Sequence, residues 1–233
     1  MEISVIIPAY MEEGGIERCL KAIVDQEYEG GVEIIVADAE STDKTLEIAK
    51  KYTDDAYVFK KSTISAGRKD GAAKAHGDIL VSTDADSVPD KMWLSELVKA
   101  FEDQSVVCVH GNVYMLDAGR LDEFFIKHVM PLYYGFFNFL GHPTGPGSNI
   151  AIRKTAYEKI GGYDPLLVTC EDLDLQRRVK KAGKVVFAPK AIVYTSSRRL
   201  RAWGHPKFFF FHFTNLLMNI LFNKPAERYE PIR

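Results

Sequence analysis

The chain has 233 residues, 46% hydrophobic and 27% charged, which suits one sizeable core, either one large domain or a domain with an appendage. Three cysteines, Cys19, Cys108 and Cys170, have no metal-type spacing and leave an odd one out, so the sequence argues against a disulfide framework and for a reduced cytosolic setting. The formal charge of −2 hides an asymmetry: Leu175 to Arg233 carry thirteen Lys or Arg against Glu227 and Glu230, making this end +11 and the remainder −13, a balance that suits phosphate groups, an anionic membrane surface or nucleic acid.

In chain order, Ile3 to Ile7 is a β-branched run that enters a strand at once, with no basic region and signal-peptide core before it, which argues against secretion. A helical stretch follows near Ile16 to Gln26. Val32 to Ala37 reads as a second buried strand, and Ser41 can cap a helix over Thr45 to Tyr52. Ala56 to Phe59 is a short third strand, Ala66 to His76 a helix, Ile79 to Thr83 a strand and Trp93 to Phe101 a helix. This βαβ rhythm predicts a parallel, doubly wound sheet. Beyond it, Val106 to Tyr114, Ser148 to Ile152, Val185 to Phe187 and Ala191 to Tyr194 have strand composition and predict a mixed portion that completes a site.

The triplet Asp84-Ala85-Asp86 follows the apolar run Ile79-Leu80-Val81 and precedes the turn-like Ser87-Val88-Pro89-Asp90. Two carboxylates at the end of a buried strand can hold a hard cation carrying a ligand's phosphates. They could equally cap the next helix. The first strand is followed by Pro8-Ala9-Tyr10-Met11-Glu12-Glu13, with neither a Gly-x-Gly-x-x-Gly turn nor a Walker lysine loop. Phosphate must then be neutralised by a cation or by arginines. Asp38 faces the same sheet edge, Arg68 can direct its guanidinium toward it, Gly145-Pro146-Gly147-Ser148-Asn149 forms a loop entering a strand, and Cys170-Glu171-Asp172-Leu173-Asp174 opens a helix. The cluster Arg198, Arg199 and Arg201 lies just past the last predicted strand.

This ordered set resembles the family 2 glycosyltransferases of the GT-A fold. The resemblance rests on Val5 to Tyr10 with Glu12, the Asp38 to Thr45 segment, Arg68 with Gly71 and Ala75 to Asp78, Asp84-Ala85-Asp86, Gly147-Ser148-Asn149, Gly161 to Asp164, and Glu171-Asp172. It implies that Pro8, Ala9, Tyr10, Glu12 and Asp38 hold the base and ribose of a UDP- or GDP-sugar, with Arg68 and Asp84 completing the pocket. Asp86, with Asp84, would ligate Mn2+ or Mg2+ on the diphosphate. Asp172 would deprotonate the acceptor hydroxyl with Glu171 beside it, giving inversion at the anomeric carbon. Ala85, Gly147, Asn149, Arg198 and Arg199 complete the expected substrate-binding set. The fit has departures: where the family commonly has Asp-Asp/Asn-Gly-Ser-x-Asp-Gly-Thr, this chain has Ala39, Glu40 and Lys44 at the middle and final glycine positions. Tyr194 to Ser197 stand where a histidine is often found, with His205 as a candidate, and the Gln-x-x-Arg-Trp signature of processive relatives is absent.

The expected architecture is an α/β GT-A domain over 1–200, its mostly parallel sheet flanked by helices, and a C-terminal apolar helical extension over 201–233. Phe208 to Phe222 contains eleven apolar residues broken by His212, Thr214, Asn215 and Asn219; it is too short for a typical spanning helix. On a helix His212, Asn215 and Asn219 form one polar stripe. The segment can lie in a membrane interface, flanked by Arg198, Arg199, Arg201 and Lys207, or cover the sheet or a homodimer partner. The interfacial reading places the protein peripherally on the inner face of the cell membrane, acting on a polyprenyl-phosphate-type acceptor; a glycan is the other acceptor class, and nucleic acid is not an expected partner. Two other functions stay open. A nucleotidyltransferase making a nucleotide sugar would need a basic triphosphate loop after the first strand, and Pro8 to Gly15 has no Lys or Arg. A non-catalytic nucleotide-sugar binding module would not need the acidic set.

Overall fold

A computed structural model describes residues 1–117, 119, 123–124, 127–222 and 226–229, with residue 221 described by its backbone alone. The N-terminal run forms β1 (Ile3–Ala9), which lies between β2 (Val32–Asp38) and β4 (Ile79–Ser82) and runs parallel to both. β3 (Ala56–Val58) extends the sheet beyond β2 in the same direction. On the other side come β7 (Ile150–Arg153), β6 (Val106–Met115), β8 (Lys184–Thr195) and the edge strand β5 (Ser87–Pro89). β7 and β5 run antiparallel to their neighbours, and β8 runs parallel to β6.

Both faces are covered, which is why the central strands are apolar throughout. Alternate residues of β1 serve different layers. Ile3, Val5 and Ile7 pack with α1 (Ile16–Val24) and α4 (Trp93–Lys99) through Ile16, Leu20, Trp93 and Leu97. Ile6 faces the layer of α3 (Ile64–Lys74), α6 (Lys154–Lys159) and α7 (Glu171–Val179), with Ala72, Tyr157, Leu175 and Val179. α2 (Thr45–Ala49) follows β2, and α5 (Met130–Phe139) lies against β8. α8 (Arg198–Phe222) is broken at Gly204, whose φ of 71° and ψ of 159° are non-helical, just before Pro206. The segment expected as a C-terminal extension thus shares an element with Arg198, Arg199 and Leu200; its residues 223–225 and 230–233 lie outside the described residues. No helix among the described residues is long and apolar enough to cross a membrane.

Several local expectations are corrected. Ser87–Pro89 forms a strand rather than a turn because β8 offers it an edge. Ser41 does not cap α2: its hydroxyl accepts from the Met11 N–H at 2.8 Å, and the helix begins only at Thr45. α3 starts at Ile64, capped by Thr63, whose hydroxyl accepts from the Ala66 N–H at 3.0 Å. Gly147–Asn149 is a 3-10 turn, and β7 begins after it. The two short strands expected near residue 190 are one strand, β8, whose register against β6 shifts between Gly111 and Asn112. The bulge bends the strand without ending it.

Candidate active site

The sheet gathers the site at one edge. Ala9 pairs with Asp38 and Ser82 with Ile150, so the ends of β1, β2 and β4 and the entry to antiparallel β7 lie together. Tyr10, Asp38 and Asp84 each come within two residues of those strand ends, and Gly147 lies three residues before β7. Such an edge, beyond the carboxyl ends of parallel strands, is where open α/β sheets bind ligands.

On one side Asp38 is fully buried. Its Oδ2 accepts from the Ser41 N–H at 2.9 Å, while Oδ1 is buried with no hydrogen-bond partner. A buried acceptor left open calls for an explanation. Ala9 accepts from the Ala39 N–H at 2.8 Å, which ties the two strand ends together, and Pro8 is half-buried beside it. Tyr10 is half-buried with the Lys61 ammonium 3.7 Å from its ring centre. Glu12 is buried, and its N–H donates to Thr45 Oγ1 at 2.8 Å.

At the centre is Arg68, 1% exposed. One Nη donates to Asp84 Oδ1 at 2.6 Å and the other to Glu171 Oε1. Burial opposes its charge, but Asp84 and Glu171 outweigh burial and hold it firmly protonated. Small residues allow this placement. A side chain at Gly71 would meet Ile6 Cγ2 at 2.6 Å, so glycine lets α3 sit close on the sheet; a Cβ at Gly147 would lie 2.6 Å from Arg68 Nη1. Arg68 therefore does not pair with Asp70 or Asp78 at the surface; Asp70 takes the Tyr57 hydroxyl and Asp78 the Glu2 N–H.

Asp86 lies beyond the buried Ala85, and Arg198 from the start of α8 bridges it to Glu12, with 2.9 Å to Asp86 Oδ2. Thr195 Oγ1 stands 3.5 Å from Asp86 Oδ1. Burial, then Asp84, push the Asp86 carboxyl up to about 6, and Arg198 only partly offsets them. Among the described residues no group of three or more His, Cys, Asp or Glu is arranged to hold a metal. The donor set suits a hard cation held by one or two carboxylates and completed by a ligand's phosphates.

Next to Glu171, Asp172 Oδ2 accepts from the Gly147 N–H at 2.9 Å and Oδ1 from the Leu173 N–H at 2.8 Å. Burial raises both the Asp172 and the Glu171 carboxyls, and for Glu171 the neighbouring Asp172 raises it further. Asn149 is fully buried and saturated: Nδ2 donates to the carbonyls of Asn112 and Ala191, and Oδ1 accepts from Trp93 Nε1. These bonds tie it to β6 and β8 at the bulge in their register. Arg199 lies 3.8 Å over the ring of Tyr229. His205 stands near Phe209 on α8.

Among the described residues, the non-glycine positions with positive φ are Met11 at 55°, Glu40 at 57° and Cys170 at 56°. Each adjoins the site: Met11 lies between Tyr10 and Glu12, Glu40 follows Asp38 by two, and Cys170 precedes Glu171. Backbone strain of this kind clusters at functional sites. Glu40 occupies the position where the family pattern has glycine, and its left-handed backbone gives the physical reason for that glycine. Sequence reasoning marked the Tyr194 to Ser197 segment only as standing where the family often has a histidine, and it missed Tyr229, which no local signal marks; the chain after α8 brings Tyr229 in.

The family model for glycosyl transferase family 2 matches residues 4–161. The chain is 32% identical over 212 residues to the probable glycosyltransferase YdaM of Bacillus subtilis, a match spanning 83% of this chain and 50% of that protein. It is 29% identical over 207 residues to the glycosyltransferase AglE of Haloferax volcanii, spanning 82% of this chain and 65% of the relative. Among solved structures it resembles mannosyltransferase PcManGT from Pyrobaculum calidifontis in complex with GDP-Man and Mn2+, with a TM-score of 0.67 at 22% identity over 87% of this chain and 59% of the other. S. aureus TarS 1–349 in complex with UDP-GlcNAc gives 0.66 at 19% identity, over 97% and 68%. The fold is therefore of the GT-A type, and the chain spans half to two thirds of the length of the curated relatives described here. With the family model matched over most of the chain, this protein belongs to glycosyl transferase family 2.

Proposed function

We propose that this protein transfers one sugar per encounter from a nucleotide-sugar donor to an acceptor oxygen, with inversion at the anomeric carbon. The observation that carries this reading is the Asp84–Arg68–Glu171 link, which fixes the carboxylates of the donor and acceptor sides on one buried guanidinium. The open Oδ1 of Asp38 and the ring of Tyr10 are the groups that would receive the nucleoside. Structural neighbours were solved with GDP-Man and with UDP-GlcNAc, which supports a donor of this class.

Asp86, with Asp84, would hold a divalent cation on the donor's diphosphate. When bound, that ion offsets charge on the leaving group. Arg198, already between Glu12 and Asp86, is placed to add positive charge there. Asp172 is the base. As the acceptor oxygen forms its bond to the anomeric carbon and the bond to the diphosphate oxygen breaks, the acceptor proton passes to Asp172. Its two backbone donors fix its orientation, and a carboxylate retains lone pairs for that proton. One displacement inverts the centre.

For the acceptor, α8 supports a lipid-linked class and peripheral membrane contact. Its polar side chains Asn215 and Asn219 are buried with Leu216, while Phe209, Phe210, Phe213, Leu217 and Met218 face outward, Phe210 at 71% exposure. A helix made to cover a core would have the opposite arrangement. On α5 Leu132, Phe136 and Phe139 are likewise exposed, and Arg201, Lys207 and Arg228 are exposed cations on and after α8. Aromatic side chains with flanking cations suit an anionic membrane interface. Of the aromatic stretch Phe124 to Leu140, residues 125 and 126 lie outside the described residues.

Calorimetry with UDP-, GDP- and dTDP-sugars, with Mn2+ and with EDTA, tests the donor side. One donor should bind with metal and be lost in Asp86→Ala. Asp172→Asn should keep that binding while transfer falls by roughly 10²–10⁴-fold; loss of binding with unchanged turnover would overturn the assignment.

A further inference from the structure

After α8 the chain comes back to the acceptor side of the site. Ala226 is pinned at two points: its carbonyl accepts from Thr169 Oγ1 at 2.8 Å, and its N–H donates to Asn215 Oδ1 at 2.7 Å. Thr169 stands directly before Cys170, Glu171 and Asp172, so this crossing lies beside the base. Asn215 belongs to the stripe that α8 turns inward, which gives that buried amide a use.

Three residues on, Tyr229 is clasped by aromatic and cationic groups. The Arg199 guanidinium lies 3.8 Å from its ring centre, Phe211 is near-parallel to it at 5.6 Å, and Trp203 meets it edge-on at 6.0 Å. Burial pushes the Tyr229 phenol up to about 12, Arg199 opposes that, and Glu171, Asp172 and Asp84 add to it. The consecutive arginines at the start of α8 thus divide their work. Arg198 holds the carboxylates Glu12 and Asp86, and Arg199 holds the returning chain.

We propose that residues 226–229 form a strap across the acceptor side of the site, fastened by Tyr229 on Arg199 and by Ala226 on Thr169, which keeps bulk water away from the base. The inference rests on the transferase reading above. A transferase has a specific need for such a closure, because water that reaches the base takes the sugar in place of the acceptor. The strap is fastened by two hydrogen bonds and one aromatic clasp and is not buried in the core, so an acceptor can displace it. Tyr229 is on this reading a positioning residue, acting on the base's surroundings through the strap.

The test is donor hydrolysis with no acceptor present, on the full chain, with GDP-Man and UDP-GlcNAc as the probes and Mn2+ added. Hydrolysis should rise severalfold in Tyr229→Ala and in Thr169→Val, with donor affinity by calorimetry unchanged. Tyr229→Phe, which keeps the ring on Arg199, should stay near the wild-type rate. Hydrogen exchange at the Ala226 amide, slow in the wild type, should become fast in Tyr229→Ala. If the wild type binds donor but both variants hydrolyse it no faster, the strap has no shielding role and the proposal is overturned, whether or not the amide is released. If the wild type binds neither nucleotide sugar nor any of the wider donor panel, the transferase reading itself fails and takes the strap with it.

Discussion

Arg68 and Glu171 are 103 positions apart, and the guanidinium of the one meets the carboxylate of the other with both side chains buried. Asp84 completes the link from the far side at 2.6 Å. A cation so enclosed is an electrostatic keystone: removing it strands two carboxylates. Breaking a buried pair costs about 3–5 kcal/mol, so Arg68→Met should lower the stability measured by denaturant unfolding by that order. Neutralising both partners as well, in Arg68→Met with Asp84→Asn and Glu171→Gln, should recover most of the loss. Activity should not return, because the carboxylates no longer flank a fixed charge.

The pH dependence follows from Asp86. Its carboxyl is raised to about 6 by burial and then by Asp84, so the folded state holds this proton more tightly than the unfolded chain does. The cost of ionising it is therefore fully present above pH 6, shrinks as pH falls from there toward the ordinary carboxylate range, and is absent below that range. Ligation runs the other way, since only the carboxylate binds a cation. Metal-dependent donor binding should fall by about tenfold for each unit below pH 6, and raising Mn2+ should move the fall to lower pH. Calorimetric titration between pH 5 and 8 checks this, with Asp86→Asn as the flat reference. A wild-type profile as flat as that of the variant would show that Asp86 is not a ligand.

Much of the fold was legible because parallel strands buried on both faces are written as apolar runs. β1, β2 and β4 stand out for that reason, and the carboxylates that follow two of them mark the edge. The site was legible in its parts but not in its wiring. Nothing near Arg68 in the sequence names Glu171 as its partner, because sheet order and helix packing set that pairing. Asn149 shows the same limit. Its position in a glycine-rich loop suggests a ligand contact, whereas its amide serves carbonyls of β6 and β8 that are brought together by a bulge with no local signature. The left-handed backbone at Glu40 was hidden too, since a glutamate does not advertise positive φ.

Asn149 should accordingly behave as a structural residue. Asn149→Ala strands the Trp93 indole N–H and removes the side-chain donor to the carbonyls of Asn112 and Ala191. Each buried group left unpaired costs roughly 1–3 kcal/mol. Thermal unfolding should show a drop of several degrees, while donor affinity of the remaining folded protein at low temperature stays close to wild type. A large loss of donor affinity with an unchanged melting temperature would place Asn149 in the ligand pocket instead.

The outward face of α8 makes a prediction that separates membrane contact from self-association. Phe209, Phe210, Phe213 and Leu217 are exposed along one side of the helix, while Asn215 and Asn219 face inward. Replacing Phe210 and Phe213 by serine removes apolar area without touching a buried contact, so the melting temperature should hold. Cosedimentation with vesicles containing anionic lipid should fall sharply, since interfacial binding scales with the buried apolar area. High salt should weaken the wild type's binding as well, because exposed cations such as Lys207 and Arg228 contribute through screened attraction. Analytical ultracentrifugation without lipid decides the alternative. A wild-type dimer that the serine variant abolishes, with no vesicle binding by either, would make this face a subunit interface and leave the lipid-linked acceptor without support.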